Sequence, residues 1–153
     1  FLHAQLTIDM RNLPAERAAL AGWCTAQGRL LATFLVIPSP QGFLLQLARD
    51  LAPAVAKRLS MYVLRSKVRI VDASDAWAQV GIWDAPAPAA VSWEGDRVSV
   101  PRGANRTLRL EPAAATSVVP NADEEAWTLQ EIRAGRPLIV MGWPNLPPPR
   151  LGQ

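Results

Sequence analysis

The chain has 153 residues, half of them apolar, enough to bury a core as one domain or two small ones. Its net charge of +3 is mild and nearly all its basic residues are arginine, so charge alone does not mark a nucleic-acid binder. One cysteine, Cys24, excludes an intramolecular disulfide and fits a reducing cytoplasm. With His3 as the single histidine, no structural zinc site of the usual ligands can be assembled.

A Ser-His-Asp triad would also have to use His3, which follows Phe1-Leu2 in a context better suited to a helix end. The longest apolar run, Leu30 to Ile37, is too short to cross a bilayer. The chain opens on Phe1, with neither an initiator Met nor a charged leader. That opening is expected of a piece of a longer polypeptide whose first strand is missing.

Phe1 to Met10 places Phe1, Leu2, Leu6 and Met10 near one helical stripe, which predicts a helix ending around Arg11-Asn12, ahead of Pro14. On it Thr7 or Asp9 would point toward the next element, or Thr7 would bond back to its own preceding turn. A strand follows at Ala19 to Cys24, then the polar turn Thr25-Ala26-Gln27-Gly28, then Arg29 and a second apolar run from Leu30 to Ile37. Two strands joined through a glycine-containing turn make a hairpin. Trp23, Cys24 and Arg29 sit at its mouth. They face a small planar anionic ligand, or the hairpin is an ordinary one with an exposed arginine.

Pro38 to Gly42 is a turn and Phe43 to Leu47 a third strand. Asp50 is an N-cap for a helix from Leu51, with Pro53 tolerated in its first turn and Val55, Leu59, Tyr62 and Val63 forming its apolar stripe. Lys67 to Asp72 alternates, Val68 and Ile70 against Lys67 and Arg69, as a strand does. The result is an α+β unit over residues 1–75, antiparallel strands with helices on one face. Lys57, Arg58, Arg65, Lys67 and Arg69 fall in a stretch without an acidic residue. This run is either the solvated side of a helix and strand or a contact for phosphates or a polyglutamate tail. RNA binding would want aromatics interleaved with these basic residues, and Tyr62 alone is there.

A second α+β unit, 76–143, begins with a strand at Trp77 to Trp83. A Pro-rich break at Asp84 to Pro88 follows, then strands at Val91 to Glu94, Val98 to Val100 and Arg106 to Leu110. Asp123 caps a helix from Glu124 to Ala134, stopped by Gly135 and Pro137. Residues 144–153 carry four prolines and read as an irregular tail.

Four pieces stand in order along the chain: FLHAQLTID at Phe1 to Asp9, CTAQGR at Cys24 to Arg29, RSKVRIVDAS at Arg65 to Ser74, and EIRAGRP at Glu131 to Pro137. That order resembles the folate-binding YgfZ-type family, paralogues of the glycine cleavage T-protein (aminomethyltransferase). The resemblance implies a T-protein-like architecture in which α+β units surround a cavity for tetrahydrofolate. A flat pterin needs apolar or aromatic walls and a carboxylate or amide at its amino-pyrimidine edge, and the glutamate tail needs cations. Carried onto this chain, the lining residues would be Gln5, Thr7 and Asp9, then Trp23, Cys24, Gly28 and Arg29, and finally Lys67 and Glu131. Gly28 would turn the backbone beneath the ligand, and Arg29 and Lys67 would offer charge to a carboxylate.

Thr33 stands where related sequences often carry an acid or amide facing the pterin, and Ile8 where they often carry Asn. The family's KGCxxGQE motif is absent, so the architecture reads as incomplete and Cys24 is not that motif's cysteine. The resemblance implies a folate-binding factor for assembly or repair of iron–sulfur client proteins. The alternatives are a folate-dependent aminomethyltransferase, disfavoured by Thr33 at the acidic position, and a tRNA- or RNA-contacting module.

Overall fold

A computed structural model describes residues 1–136; the irregular tail read at 144–153 lies outside the described residues. The fold is mixed α+β, with two antiparallel sheets and two α-helices. The first sheet has the order β1-β2-β3, with β1 at Ala19–Cys24, β2 at Leu30–Ser39 and β3 at Gly42–Gln46. Helix α1, Ala52–Ser60, follows. The second sheet has the order β4-β7-β6-β5, from β4 at Trp77–Trp83, β5 at Ser92–Glu94, β6 at Arg97–Pro101 and β7 at Arg106–Pro112. Helix α2, Glu124–Arg133, follows.

The uninterrupted apolar run in β2 has a physical reason: this strand is buried on both faces. Ala32, Phe34 and Val36 point into one core with Leu6, Met10, Ala21, Trp23, Val55 and Leu59. Leu35 and Ile37, the alternate residues, enter a second core with Val91, Val98, Val100, Leu108 and Leu110 of the second sheet. The central strand of the first sheet therefore sits between α1 and the second sheet. The indole Nε1 of Trp93 donates to the Pro38 carbonyl at 2.9 Å, and the Val91 amide donates to the Glu16 carbonyl at 2.8 Å, tying the two sheets together.

Two expected elements take other forms. Phe1 to Met10 is no α-helix: a single 3₁₀ turn at Leu2–Ala4 gives way to an extended contact in which Leu6 bridges Trp23 of β1. The free edge of β1 offers hydrogen bonds to this segment, and Thr7 takes them, its amide donating to the Gly22 carbonyl at 3.0 Å. Leu6 and Met10 still reach the core, so the apolar spacing reported burial rather than helix. Lys67 to Asp72 forms no strand: it joins neither sheet, and the Val68 amide turns back onto the nearby Ser66 carbonyl at 2.9 Å, a local bond that interrupts the extended backbone a ladder needs. Helix α1 also begins a residue later than expected, with Leu51 at the N-cap position and no side-chain cap; its buried stripe is Ala52, Val55 and Leu59.

Helix α2 is built as its sequence predicts. The Asp123 side chain accepts from the Ala126 amide at 2.9 Å, Glu124 and Glu125 occupy the first turn, and Gly135 adopts φ +69° just past the end. Trp127 lies directly on the backbone of Gly81 in β4, where a Cβ would stand 2.3 Å from the indole. Trp83 flanks the same ring at 6.1 Å between centroids.

Candidate functional site

The N-terminal segment and the hairpin do come together. Thr7 Oγ1 accepts from the Gly22 amide at 2.8 Å, so Thr7 points to the hairpin rather than back to its own turn. Gly22 is opposite Thr33 in the sheet and Cys24 opposite Leu30. Gln5 and Cys24 are half-buried, while Thr7, Asp9 and Arg29 are exposed. Gly28 holds φ +81° in a turn closed by the Thr25 amide on the Arg29 carbonyl at 2.8 Å, a conformation that favours glycine.

Several of these groups are already engaged. Trp23 is 4% exposed and faces the first core, with Tyr62 edge-on at 6.5 Å and the Arg58 guanidinium over its ring at 5.6 Å. Asp9 accepts from Asn12 Nδ2 at 2.6 Å and from the Arg11 amide at 3.0 Å, and lies 3.2 Å from His3 Nδ1. The Asn12 and Arg11 hydrogen bonds hold the Asp9 carboxyl below its ordinary pKa, with the His3 charge a smaller contribution.

The main concavity lies elsewhere. An open cleft of about 2210 Å³ runs along β3, α1, residues 67–74, β4 and the start of α2. Its volume is well beyond the roughly 300–1,000 Å³ of an ordinary small-ligand pocket, so it is a broad channel rather than a closed cavity. Trp77, Trp83 and Trp127 contribute aromatic wall; Lys67, Arg69 and Arg109 contribute cations; Asp72, Asp84 and Glu124 contribute carboxylates. Asp72 is held below its ordinary pKa by hydrogen bonds from the Ser74 hydroxyl and amide. Asp84 ends β4 with φ +59°, the left-handed region that Asp tolerates better than most residues. Of the ten residues carried over from the family motifs, Lys67 lines this cleft.

Glu131 belongs to a third place. Its carboxylate receives the Arg102 guanidinium in a short ion pair, Arg136 Nη1 at 3.1 Å and Arg106 Nη1 at 3.5 Å. Arg106 Nη1 also donates to the Gln130 carbonyl at 2.7 Å, and Arg136 Nη1 to the Arg102 carbonyl at 2.8 Å. These contacts join α2 to the turn between β6 and β7. A comparable node stands at Glu111, 1% exposed, with Arg97 Nε at 2.9 Å and Arg109 Nε at 3.4 Å. A hydrogen bond from Thr116, then the charges of Arg109 and Arg97, hold the Glu111 carboxyl below its ordinary pKa.

Comparison with known proteins gives a partial likeness. A stretch of 71 residues is 34% identical to the tRNA-modifying protein YgfZ of Edwardsiella ictaluri (strain 93-146). The match covers 46% of this chain and 22% of that protein. It suggests the YgfZ family. No family model matches the chain.

Sequence reasoning passed over the tryptophan wall of the cleft and the partners of Glu131. The first left a signal in WAQVGIW, where a glycine between tryptophans in a strand marks a close approach by another group. The arginines left none, since an exposed and a buried arginine look alike in a sequence. Among the described residues no group of three or more His, Cys, Asp or Glu could hold a metal ion. No described helix is long and apolar enough to cross a membrane.

Proposed function

We propose that this chain is a YgfZ-like tetrahydrofolate-binding module that supports maturation or repair of iron–sulfur proteins, and that its folate site is the cleft between β3 and β4. The observation that carries the reading is the composition of that cleft. A pterin needs flat apolar walls, and Trp77, Trp83 and Trp127 line it. An aminobenzoyl-glutamate tail needs cations, and Lys67 and Arg69 stand on the segment along one side. Carboxylates for the amino-pyrimidine edge are present in Asp72, Asp84 and Glu124. The partial likeness to a YgfZ protein supports the same reading.

In this arrangement the protein's own groups bind and orient. The tryptophans exclude water from the ring faces, and one carboxylate accepts paired N–H groups from the pterin. The basic pair fixes the tail. No proton transfer is required of a binding factor, whereas a T-protein-like transferase would use one of those carboxylates at the reacting nitrogen.

The test is a titration with 5-formyltetrahydrofolate followed by tryptophan fluorescence. The parent chain should quench, and the double change Lys67→Ala/Arg69→Ala should weaken binding by more than about tenfold, since it removes two charge-assisted contacts and one such contact is already worth about a factor of ten. Arg29→Ala should leave affinity unchanged. If Arg29→Ala abolishes binding while the double change has no effect, the site is at the hairpin and this placement is wrong. Exchange of labelled one-carbon units into the bound folate would move the reading from binding factor to transferase.

A further inference from the structure

Three guanidinium groups on one carboxylate is an unbalanced arrangement. Arg102, Arg106 and Arg136 surround Glu131, leaving two positive charges in excess at a place where all four side chains are at most a quarter exposed. Arg106 and Arg136 each also donate to a backbone carbonyl, of Gln130 and Arg102, but those neutral acceptors leave the excess charge and the mutual repulsion of the guanidiniums uncancelled. Burial, the largest influence on Arg102, pulls its pKa below the ordinary arginine value against the hydrogen bond and charge of Glu131, and the charges of Arg136 and Arg106 act in the same direction as burial.

The donors are not used up. Both Glu131 oxygens are taken, one by Arg102 Nη2, the other by Arg136 Nη1 and Arg106 Nη1. Arg102, 8% exposed, keeps a buried Nε with no acceptor among the described residues. Arg106 turns its other two nitrogens toward Gly103: Nη2 and Nε lie 3.6 and 3.8 Å from where a Cβ would stand on that residue. Gly103 has φ +128°, which most side chains avoid, so the flank beside the Arg106 fork stays bare. Gly103, Ala104 and Asn105 are exposed, so a solute can reach that flank.

We propose that the Arg102–Arg106–Arg136 cluster at the β6–β7 turn is a binding site for a tetrahedral dianionic oxyanion of the phosphate class, held against the Nε/Nη2 fork of Arg106, which takes no acceptor among the described residues. The charge of such a ligand matches the excess, and a planar guanidinium fork presents two parallel N–H groups to two oxygens. The site is separate from the folate reading, since none of the three arginines lines the cleft. The same chemistry is supplied by free inorganic phosphate or by the phosphomonoester of a larger ligand.

The experiment is calorimetric titration of the full chain with inorganic phosphate, at ionic strength held constant with chloride, beside a parallel titration with adenosine monophosphate. Saturable binding of phosphate is expected, weakened at least about tenfold by Arg106→Gln and less by Arg106→Lys, which keeps the charge and removes the fork. Glu131→Gln decides the sign. It frees three guanidiniums and should tighten phosphate binding, whereas a purely structural staple would show no anion response and lower stability only. Circular dichroism establishes that each variant is folded. Equal or stronger binding of the monophosphate would assign the site to a phosphorylated ligand, and binding of phosphate alone to the free ion. No heat beyond the chloride control, or binding unchanged in Arg106→Gln, overturns the proposal.

Discussion

The two sheets solve the same problem by different means. The first is held by a strand buried on both faces, with aliphatic and aromatic side chains filling the space between α1 and the second sheet. The second keeps one face apolar and secures its periphery with arginine–carboxylate nodes at Glu111 and Glu131 and with a tryptophan laid on bare backbone. Apolar contacts have no direction and tolerate only changes of volume. Ion-pair nodes are directional, respond to pH and anions, and can hold a helix in place beside an open cleft. The cleft runs between the β4 edge of this second sheet and β3 of the first, and the Glu131 node stands at the β6–β7 turn.

The comparison can be broken most forcefully at β2. Phe34→Ala, at 1% exposure, should cost about 3–5 kcal/mol by urea unfolding and lower the stability of the whole fold. A loss confined to one sheet, seen as two transitions, would show that the sheets fold independently. Gly81→Ala should cost about 1–3 kcal/mol, because the added methyl forces Trp127 off β4. It should also shift the tryptophan emission, and an unchanged spectrum would mean the ring does not sit there. Asp123→Ala removes the α2 cap and should cost about 1 kcal/mol, with Asp123→Asn nearly neutral.

The pH dependence separates the sheets further. Glu111 titrates below its ordinary value of 4.5 when folded. The folded state therefore binds fewer protons than the unfolded state in acid, and its contribution is fully present above about pH 4.5 and lost as pH falls through the lower folded value. Urea midpoints measured from pH 7 to pH 3 should fall in that window and fall less in Glu111→Gln. Equal slopes would show that the Glu111 node carries no linked stability. The smallest effect is expected at the hairpin mouth, where Arg29→Ala removes an exposed side chain and should change stability by no more than about 0.5 kcal/mol.

Much of the strand plan was written locally. Ala19–Cys24 and Trp77–Trp83 fall where their β-prone residues and flanking turns put them, and the Asp123 cap and the Gly135 stop bracket α2. These are decisions between near neighbours, taken by turn geometry, capping and alternation, so the sequence by itself determined them. The route of Phe1 to Met10 was decided by the open edge of β1. Glu131 meets Arg102 across 29 positions of sequence, and Trp127 meets Gly81 between separate elements. The cleft exists only because two sheet edges are brought alongside each other. Only the tertiary structure settled these, since a hydrogen-bonding edge, a charge partner or a cavity wall is supplied by residues remote in the chain, and no local periodicity records them.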